Sequence, residues 1–265
     1  MNLIKTLTFL IVILFTSFTA GCNYNNDSRN LTDMVAIEGS TSMATMLNLL
    51  KVDFQKTCND IPVSVNDSSS KKGLESLLSR KTDIAACSYF ENPKKLNRNF
   101  RTYVIAYDDI VAIANPSLNI SKLDFGQLKQ IMLGRQKFWP IKPCKPVNFY
   151  IRNNNSGTYE FIRQNLLNNN NFSQQAILVN DSKGVLEAIG GDPDALGFIS
   201  SYSIANNNKV KRITIVDGGK TVNILRPLYL VCDKKPKPNT QKFIDYCLSP
   251  RGKEIIRQSN FRIKP

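Results

Sequence analysis

An arginine, a serine, a glycine and a threonine lie close together in the stretch RNNNSGTYEFIRQNLL, residues 152–167. Arg152 precedes Ser156, Gly157 and Thr158, and these three stand directly before an amphipathic pattern that predicts a helix. A helix N-terminus presents unpaired N–H groups and a partial positive charge, so hydroxyl groups and an arginine there are typical of an oxyanion site. Serine is also an ordinary helix N-cap, and capping alone explains a single occurrence.

The apolar run VNFYIRN leads into the polar turn and helical pattern NNSGTYEFIRQNLL. Three other segments show the same order of apolar run, polar turn and helical pattern. They are MVAIEG before STSMATMLNLLKVDFQ, IPVSVND before SSSKKGLESLLSR, and AILVND before SKGVLEAI. Repeated strand–turn–helix units predict an α/β fold with mostly parallel sheets flanked by helices. Open α/β sheets bind ligands beyond the carboxyl ends of their strands. Four such turns, each with Ser or Thr, would therefore direct donors from several sides onto one small anion.

Other segments predict further elements of the same fold. TDIAAC, YVIAYDDIVAIAN, DALGFIS and ILRPLYLVC are expected to be strands. DGGKT reads as a hairpin turn, because the glycine that a P-loop needs is replaced by Thr214. Asn239 or Thr240 is the expected cap of the last helical stretch, in which Pro250 should break or begin a helix.

The first 22 residues have the form of an export signal. One lysine precedes an apolar run at 7–18 that is too short for a comfortable membrane span, and the sequence TAGC ending at Cys22 resembles a bacterial lipoprotein cleavage box. Cys22 would then be the lipidated first residue, followed by a flexible tether at 23–32. The alternative is a plain cleaved signal with Cys22 as a thiol. Both readings take the mature chain out of the cytoplasm.

The composition narrows the possible functions. The net charge of +14 favours anionic partners, although solvated basic loops explain much of it. Export and the absence of zinc-finger, RNP-like or basic-aromatic patterns make nucleic acid an unexpected partner. The chain has no histidine, which excludes a Cys/His zinc site and Ser-His-Asp or Cys-His catalysis. We therefore expect no metal, no cofactor and no catalytic residue, and the protein is not expected to be an enzyme.

The cysteines follow no metal-site or redox spacing. Beyond Cys22 there are five, so at least one is unpaired. Most are expected in or near the core, with perhaps one disulfide whose partners the sequence does not assign.

Several motifs, taken in order along the chain, resemble one known family. EGSTSM, the serine-rich turn before KKGLESL, RNNNSGTYEF, PDALGFIS, RPLYLV and FIDYCLSPRGKEII resemble the periplasmic phosphate-binding proteins of phosphate ABC transporters, the PstS family. The resemblance spans nearly all of 34–265, and Arg-x-x-x-Ser-Gly-Thr is its most specific element. It implies a two-lobed periplasmic-binding-protein type II fold. Lobe 1 would comprise 33–109 plus 206–265, lobe 2 would comprise 110–205, and the ligand would lie in the cleft between them.

The resemblance also implies a function. The protein would be a monomeric solute-binding lipoprotein, anchored by lipid in the periplasm or on the cell surface, that captures inorganic phosphate for an ABC permease in the cytoplasmic membrane. The phosphate-binding residues carried over by position are Thr41, Ser42, Ser70, Arg152, Ser156, Gly157 and Thr158, with Ser40, Ser69 and Tyr89 as further candidates.

One departure from the family keeps alternatives open. Family members often have Ser-Asp where this chain has Ser88-Tyr89, and the aspartate accepts the proton of phosphate and repels sulfate. Glu38 or Asp108 could replace that acid. The alternatives are capture of another oxyanion such as sulfate, molybdate or tungstate, a phosphatase on a related scaffold, and a surface lipoprotein that has lost its ligand.

Overall fold

The computed structural model describes residues 34–89, 99–204 and 207–263. The expected export signal, the tether and the lipidation site Cys22 lie outside the described residues. The fold described below is that of the compact unit 32–265.

Strands and helices alternate along the chain. The strands are β1 (Val35–Ser40), β2 (Val63–Ser68), β3 (Ile84–Cys87), β4 (Phe100–Ala114), β5 (Lys122–Asp124), β6 (Asn148–Arg152), β7 (Ile177–Val179), β8 (Ala195–Ser200), β9 (Lys211–Asp217), β10 (Lys220–Thr221) and β11 (Ile224–Asp233). The helices are α1 (Thr41–Thr57), α2 (Ser70–Leu78), α3 (Phe125–Met132), α4 (Gly157–Asn165), α5 (Ser182–Gly191), α6 (Pro238–Leu248) and α7 (Pro250–Gln258), with a 3-10 turn at Ser201–Ile204.

All four predicted strand–turn–helix units form, as β1–α1, β2–α2, β6–α4 and β7–α5. The predicted α/β class is confirmed. Strands of these units pair in parallel, β1 with β2 and β6 with β7, because each helix returns the chain to the same end of the sheet. The long strands β4 and β11 pair with each other and with β8 and β3 in antiparallel fashion. The sheet is therefore mixed.

The order of the strands in the sheet differs from their order in the chain. The sheet runs β2-β1-β3-β11-β4-β8-β6-β7, and β9 pairs with β4, β5 and β10. The last strand, β11, thus lies between β3 and β4. The pair β1–β2 and the pair β6–β7 run in opposite directions, because β11, β4 and β8 pair in antiparallel fashion between them. The starts of α1 and α2 therefore approach those of α4 and α5 from the opposite direction.

Two large hydrophobic clusters form the interior. The first core gathers buried residues from 35–106 and 228–261, and the second core gathers them from 110–224. Strand β4 contributes Ile105 to the first core and Ile110 to the second. The long strands therefore pass from one core to the other without a break.

Local predictions at the C-terminal part have mixed outcomes. The DGGKT hairpin is confirmed, since Gly218 and Gly219 have φ of 53° and 79° and join β9 to β10, a conformation that glycine adopts without strain. Pro250 begins α7, as expected. The expected caps Asn239 and Thr240 are wrong, because α6 begins earlier at Pro238, whose fixed φ suits the first helical position.

All five cysteines that the structure describes are free. They are Cys58, Cys87, Cys144, Cys232 and Cys247. Three of them are buried as predicted, but Cys144 is exposed, because it lies in the irregular segment between α3 and β6.

Within 34–89, 99–204 and 207–263, no helix has the length and apolar character of a membrane span, and no cluster of potential metal ligands occurs there.

Candidate anion site

Arg152, the last residue of β6, joins the starts of two helices. Its Nη1 lies 3.5 Å from Thr41 Oγ1 at the start of α1 and 3.3 Å from Ser182 Oγ at the start of α5. Its Nε donates to the Asn180 carbonyl at 3.2 Å. The side chain is 6% exposed. A guanidinium group held by three hydroxyl or carbonyl oxygens, none of them charged, still needs an anionic partner.

Ser88, which follows β3, lies close to the starts of α1, α2 and α4. Ser40 Oγ donates to Ser88 Oγ at 2.8 Å, and the Ser88 N–H donates to Ser70 Oγ at 3.0 Å. Gly157, the first residue of α4, approaches so closely that a Cβ there would lie 2.3 Å from Ser88 Oγ. The four turns predicted from the sequence therefore converge in the structure.

The start of α1 differs from the other three helix starts. Ser40 occupies the N-cap position of α1 but makes no capping hydrogen bond, and its hydroxyl donates to Ser88 Oγ. The other three helices are capped: Ser69 accepts from the Lys72 N–H at 3.1 Å, Ser156 from the Thr158 N–H at 3.1 Å, and Asp181 from the Gly184 N–H at 2.7 Å. The first turn of α1, with Thr41 and Ser42, therefore keeps backbone donors for a ligand.

Tyr89 lies between the two cores. Its ring packs edge-on against Phe161 of α4, with 6.3 Å between centroids, and it adds to the second core. Its expected role as a possible phosphate contact remains a prediction. A cavity of about 430 Å³ opens beside it, lined among others by Ser70, Lys71, Ser156 and Arg163.

Two charged residues at the site pair with each other, although the sequence suggested no role for Arg226 and suggested Asp108 only as a replacement for the missing aspartate. Arg226 of β11 and Asp108 of β4 form an ion pair, with 2.6 Å between Nη2 and Oδ2. The second amino group of Arg226 donates to Thr158 Oγ1 at 2.9 Å, and Ser200 Oγ donates to Asp108 Oδ1 at 2.5 Å. The sequence held a signal for Arg226, since a single charge within an apolar strand pattern implies a buried partner.

The two acids considered as replacements for the missing aspartate differ in their contacts. Both carboxylate oxygens of Asp108 accept hydrogen bonds from protein groups. Glu38 Oε1 is buried, lies 3.8 Å from Lys72 Nζ and has no hydrogen-bond partner within the described residues. Asp108 is therefore not a free acceptor for a ligand proton, whereas Glu38 has an oxygen that accepts from no protein group.

The electrostatics of the site favour an anion. Burial lowers the pKa of Arg152, the charge of Asp181 opposes this shift, and the charge of Arg226 adds to it. Burial raises the pKa of Asp108, while Arg226 and Ser200 stabilise its ionised form. Asp108 thus pairs with Arg226, while Arg152 has no carboxylate in hydrogen-bonding contact and is stabilised only by the more distant charge of Asp181.

The chain is similar to phosphate receptors in both sequence and fold. It is 26% identical to the phosphate-binding protein PstS of Borreliella burgdorferi over 278 aligned positions, which cover 97% of this chain and 98% of the relative. A phosphate ABC transporter substrate-binding protein with bound phosphate from Clostridium perfringens superposes with a TM-score of 0.76 at 20% identity, and an ABC-type phosphate transport receptor from Vibrio cholerae with 0.72 at 21%. Each superposition covers 87% of this chain and 100% of the other chain.

A family model described as a PBP superfamily domain matches residues 25–251. This match spans most of the chain and includes every helix start of the anion site, and the protein therefore belongs to the PBP superfamily.

Proposed function

We propose that the protein is an extracytoplasmic solute-binding protein that captures inorganic phosphate for an ABC importer. The observation that carries the proposal is the convergence of four helix starts on a region with two buried guanidinium groups. Buried Asp108 pairs with Arg226, and Arg152 supplies positive charge there that only the exposed Asp181 opposes. A small tetrahedral anion matches this arrangement, because it accepts hydrogen bonds in several directions at once.

The proposed ligands act from both cores. Thr41 and Ser42 at α1, with Ser70 at α2, donate from the side of the first core. Arg152 clamps two oxygens, and the turn of Ser156, Gly157 and Thr158 donates from the side of the second core. Ser40, Ser69 and Tyr89 are further candidates, although Ser69 already caps α2. The many charge-assisted hydrogen bonds offset the dehydration of the anion and favour closure.

The two cores correspond to the two lobes in this proposal. Residues 33–109 form lobe 1 together with the C-terminal part of the chain, and 110–205 form lobe 2. The packing of Ile213 and Ile224 in the second core supports adding 211–224 to lobe 2. The ligand would lie in the cleft between the lobes, and β4 and β11 would bend as the lobes close.

The setting follows from the relatives and from the predicted signal. The relatives named above are substrate-binding or receptor proteins of transporters, which supports a binding role rather than an enzymatic one. We infer export, lipidation at Cys22, a monomeric state, and delivery to a permease in the cytoplasmic membrane. No release of phosphate from a chromogenic ester is expected, and steady release would favour the phosphatase alternative.

Calorimetric titration with phosphate tests the proposal, after bound anion has been removed by unfolding and refolding. We expect tight one-to-one binding and, for Arg152→Ala, a loss of about 3 kcal/mol or roughly 100-fold in affinity, because a buried charge-assisted clamp is removed. Arg257→Ala is the matched control, since this arginine lies exposed on α7 and pairs only with Glu254. Tight binding of sulfate or molybdate with weak binding of phosphate would refute the assignment in favour of another oxyanion. No binding of any of these anions would indicate a protein that has lost its ligand.

A further inference from the structure

The chain enters its fold at the end of β1 that lies away from the anion site. Strand β1 begins at Val35 and ends at Ser40, and its six residues span about 17 Å. The Ala36 N–H donates to Asp83 Oδ2 at 2.9 Å, and Thr82 Oγ1 donates to the Ala36 carbonyl at 2.7 Å. The start of β1 is therefore held against the turn that leads from α2 into β3.

Three chain segments surround this point, and together we call them the entry face. They are the turn after α2, the segment after β11 and the start of β4, which meet because Cys232 of β11 pairs with β3 and with Arg101 of β4. The exposed cations of the entry face are Arg80, Lys81, Arg101, Lys234, Lys235 and Lys237, and its acids are Asp83 and Asp233. The nearby end of α1 and the turn after it add one exposed charge of each sign, from Lys56 and Asp60. The entry face therefore carries an excess of positive charge.

Most of this positive charge is not compensated. Lys237 Nζ lies 2.9 Å from Asp83 Oδ1, and Arg80 Nη1 lies 3.7 Å from Asp233 Oδ2. The other cations of the entry face form no ion pair with another described residue, and they are Lys81, Arg101, Lys234 and Lys235. Both acids are thus already paired, while these exposed cations are left for an anionic partner.

A cavity of about 350 Å³ opens at the centre of the entry face. It is lined by the start of α6 and by charged side chains of both signs, Arg80, Asp83, Asp233, Lys235 and Lys237. Lys237 is the N-cap residue of α6, and its side chain makes no capping hydrogen bond. Thr240, in the first turn of α6, also lines the cavity, and its buried Oγ1 has no hydrogen-bond partner within the described residues. A helix start of this kind favours a small anionic group, such as the phosphate of a lipid headgroup.

The position of the entry face points to a membrane as its partner. About a dozen residues join Val35 to Cys22, where lipidation is proposed, and a chain of this length reaches at most about 45 Å. A lipidated Cys22 would therefore keep the entry face close to the bilayer. Each lysine or arginine near an anionic bilayer surface strengthens partition roughly fivefold. Leu78, the last residue of α2, is 59% exposed and offers an apolar side chain to the interface.

We propose that the entry face is a second binding surface of the protein, which docks on anionic phospholipid headgroups of the membrane that holds the anchor. The inference rests on the proposed function for the lipid anchor at Cys22, and phosphate binding has no part in it. Docking by the entry face directs the starts of α1 and α2, at the other ends of their strands, toward the solution from which phosphate is captured. A second copy of the chain is a poorer partner, because its entry face carries the same charge.

Vesicle flotation tests the proposal with the mature chain from residue 22, in which Cys22→Ser removes the site of lipidation. This chain contains the whole compact unit 32–265. We expect binding to vesicles of phosphatidylcholine and phosphatidylglycerol to be at least about tenfold tighter than to phosphatidylcholine alone. Molar salt should abolish the preference, because it shortens the Debye length to about 3 Å.

Replacement of three unpaired lysines should remove most of the vesicle binding. The variant Lys81→Gln/Lys234→Gln/Lys235→Gln leaves both ion pairs of the entry face in place, and its partition to the anionic vesicles should fall roughly 100-fold. Its phosphate affinity should equal that of the wild-type protein, because none of these lysines contacts the anion site. Unchanged phosphate affinity would also show that the variant is folded.

The matched control changes the net charge equally but at another place. The variant Lys122→Gln/Lys137→Gln/Lys220→Gln removes three exposed lysines from the segment 110–224. Its partition to the anionic vesicles should change less than about threefold.

The outcomes separate this inference from the proposed function. Wild-type protein that binds anionic vesicles but no phosphate refutes phosphate capture and supports the inference. Phosphate binding without vesicle binding, equal binding to neutral vesicles, or an equal loss in the control variant overturns the inference alone. Retention on a soluble polyanion such as heparin without vesicle binding would indicate an acidic partner other than a membrane and would also overturn it.

Discussion

Replacement of Gly157 by alanine should hinder closure of the two cores without disturbing either core. Gly157 begins α4, and the new Cβ would lie 2.3 Å from Ser88 Oγ, about 1.1 Å inside the 3.4 Å at which ordinary contact begins. Ser70 Oγ and the Tyr89 nitrogen would each lie 3.1 Å away. These neighbours all belong to segments that follow strands of the first core, so the conflict exists only when the two cores meet.

The expected magnitude follows from what Ser88 must give up. Its Oγ is 2.8 Å from Ser40 Oγ and 3.3 Å from Ser70 Oγ, and moving it loses both hydrogen bonds at about 1 kcal/mol each. An unfavourable rotamer adds up to about 1 kcal/mol. The closed state should therefore lose about 2 to 3 kcal/mol, and phosphate affinity should fall roughly 30- to 150-fold.

The assay combines calorimetric phosphate titration with thermal unfolding and small-angle scattering. Gly157→Ala should unfold at the wild-type temperature without phosphate and should show a larger radius of gyration. Gly191→Ala is the matched control, since a Cβ at this helical glycine meets nothing within 4 Å. Ser88→Ala removes the closest clash, so Gly157→Ala should cost much less in that background.

Two results would refute this reasoning. Phosphate affinity of Gly157→Ala within about threefold of wild type, a difference of less than roughly 0.7 kcal/mol, would mean that the close approach has no part in binding. A lower unfolding temperature with unchanged affinity would mean that the two cores do not separate.

Three further predictions concern stability and reactivity. Hydrogen bonds from Arg251 hold the pKa of Asp53 well below its usual value. The stability that this carboxylate contributes is therefore present above about pH 4 and is lost as the pH falls further. In Asp53→Asn, the temperature of thermal unfolding below about pH 4 should depend less steeply on pH than in the wild-type protein. Phe54→Ala, in the first core, should lower the free energy of unfolding in urea by about 3 to 5 kcal/mol and leave phosphate affinity unchanged wherever the variant stays folded. Maleimide at pH 8 should label the exposed Cys144 in the native protein but Cys87 only after unfolding, because burial raises the pKa of the Cys87 thiol. Mass-spectrometric mapping would show the order of labelling. Early labelling of Cys87 would contradict its buried position.

Local pattern was enough to predict the units that build the site. A β-strand and the helix that follows it differ in hydrophobic period, and the turn between them is marked by polar residues. The start of α4 shows this, since Arg152 ends a strand and Gly157 begins a helix, as the pattern indicates. A general property of open α/β sheets predicts that the turns of neighbouring parallel strands meet at one edge, whereas the approach of the two pairs of turns depends on the antiparallel strands between them.

Contacts between distant strands could not be predicted in the same way. Asp108 and Arg226 are 118 residues apart, and they meet only because β11 inserts between β3 and β4. The hydrophobic pattern of β4 or of β11 does not specify that the two strands will lie side by side. The close packing of Tyr89 on Phe161 has the same origin, since it depends on how two separate cores meet.

The position of β11 has a consequence for the order in which the chain folds during synthesis. The second core draws on the continuous segment 110–224 and can assemble as soon as that segment is complete. The first core cannot, because β3 and β4 have a gap between them until Ile224–Asp233 is made, and α6 and α7 follow later still. Completion of the central sheet therefore waits for the C-terminal part of the polypeptide, and β3 lacks one of its two neighbouring strands for nearly the whole of synthesis.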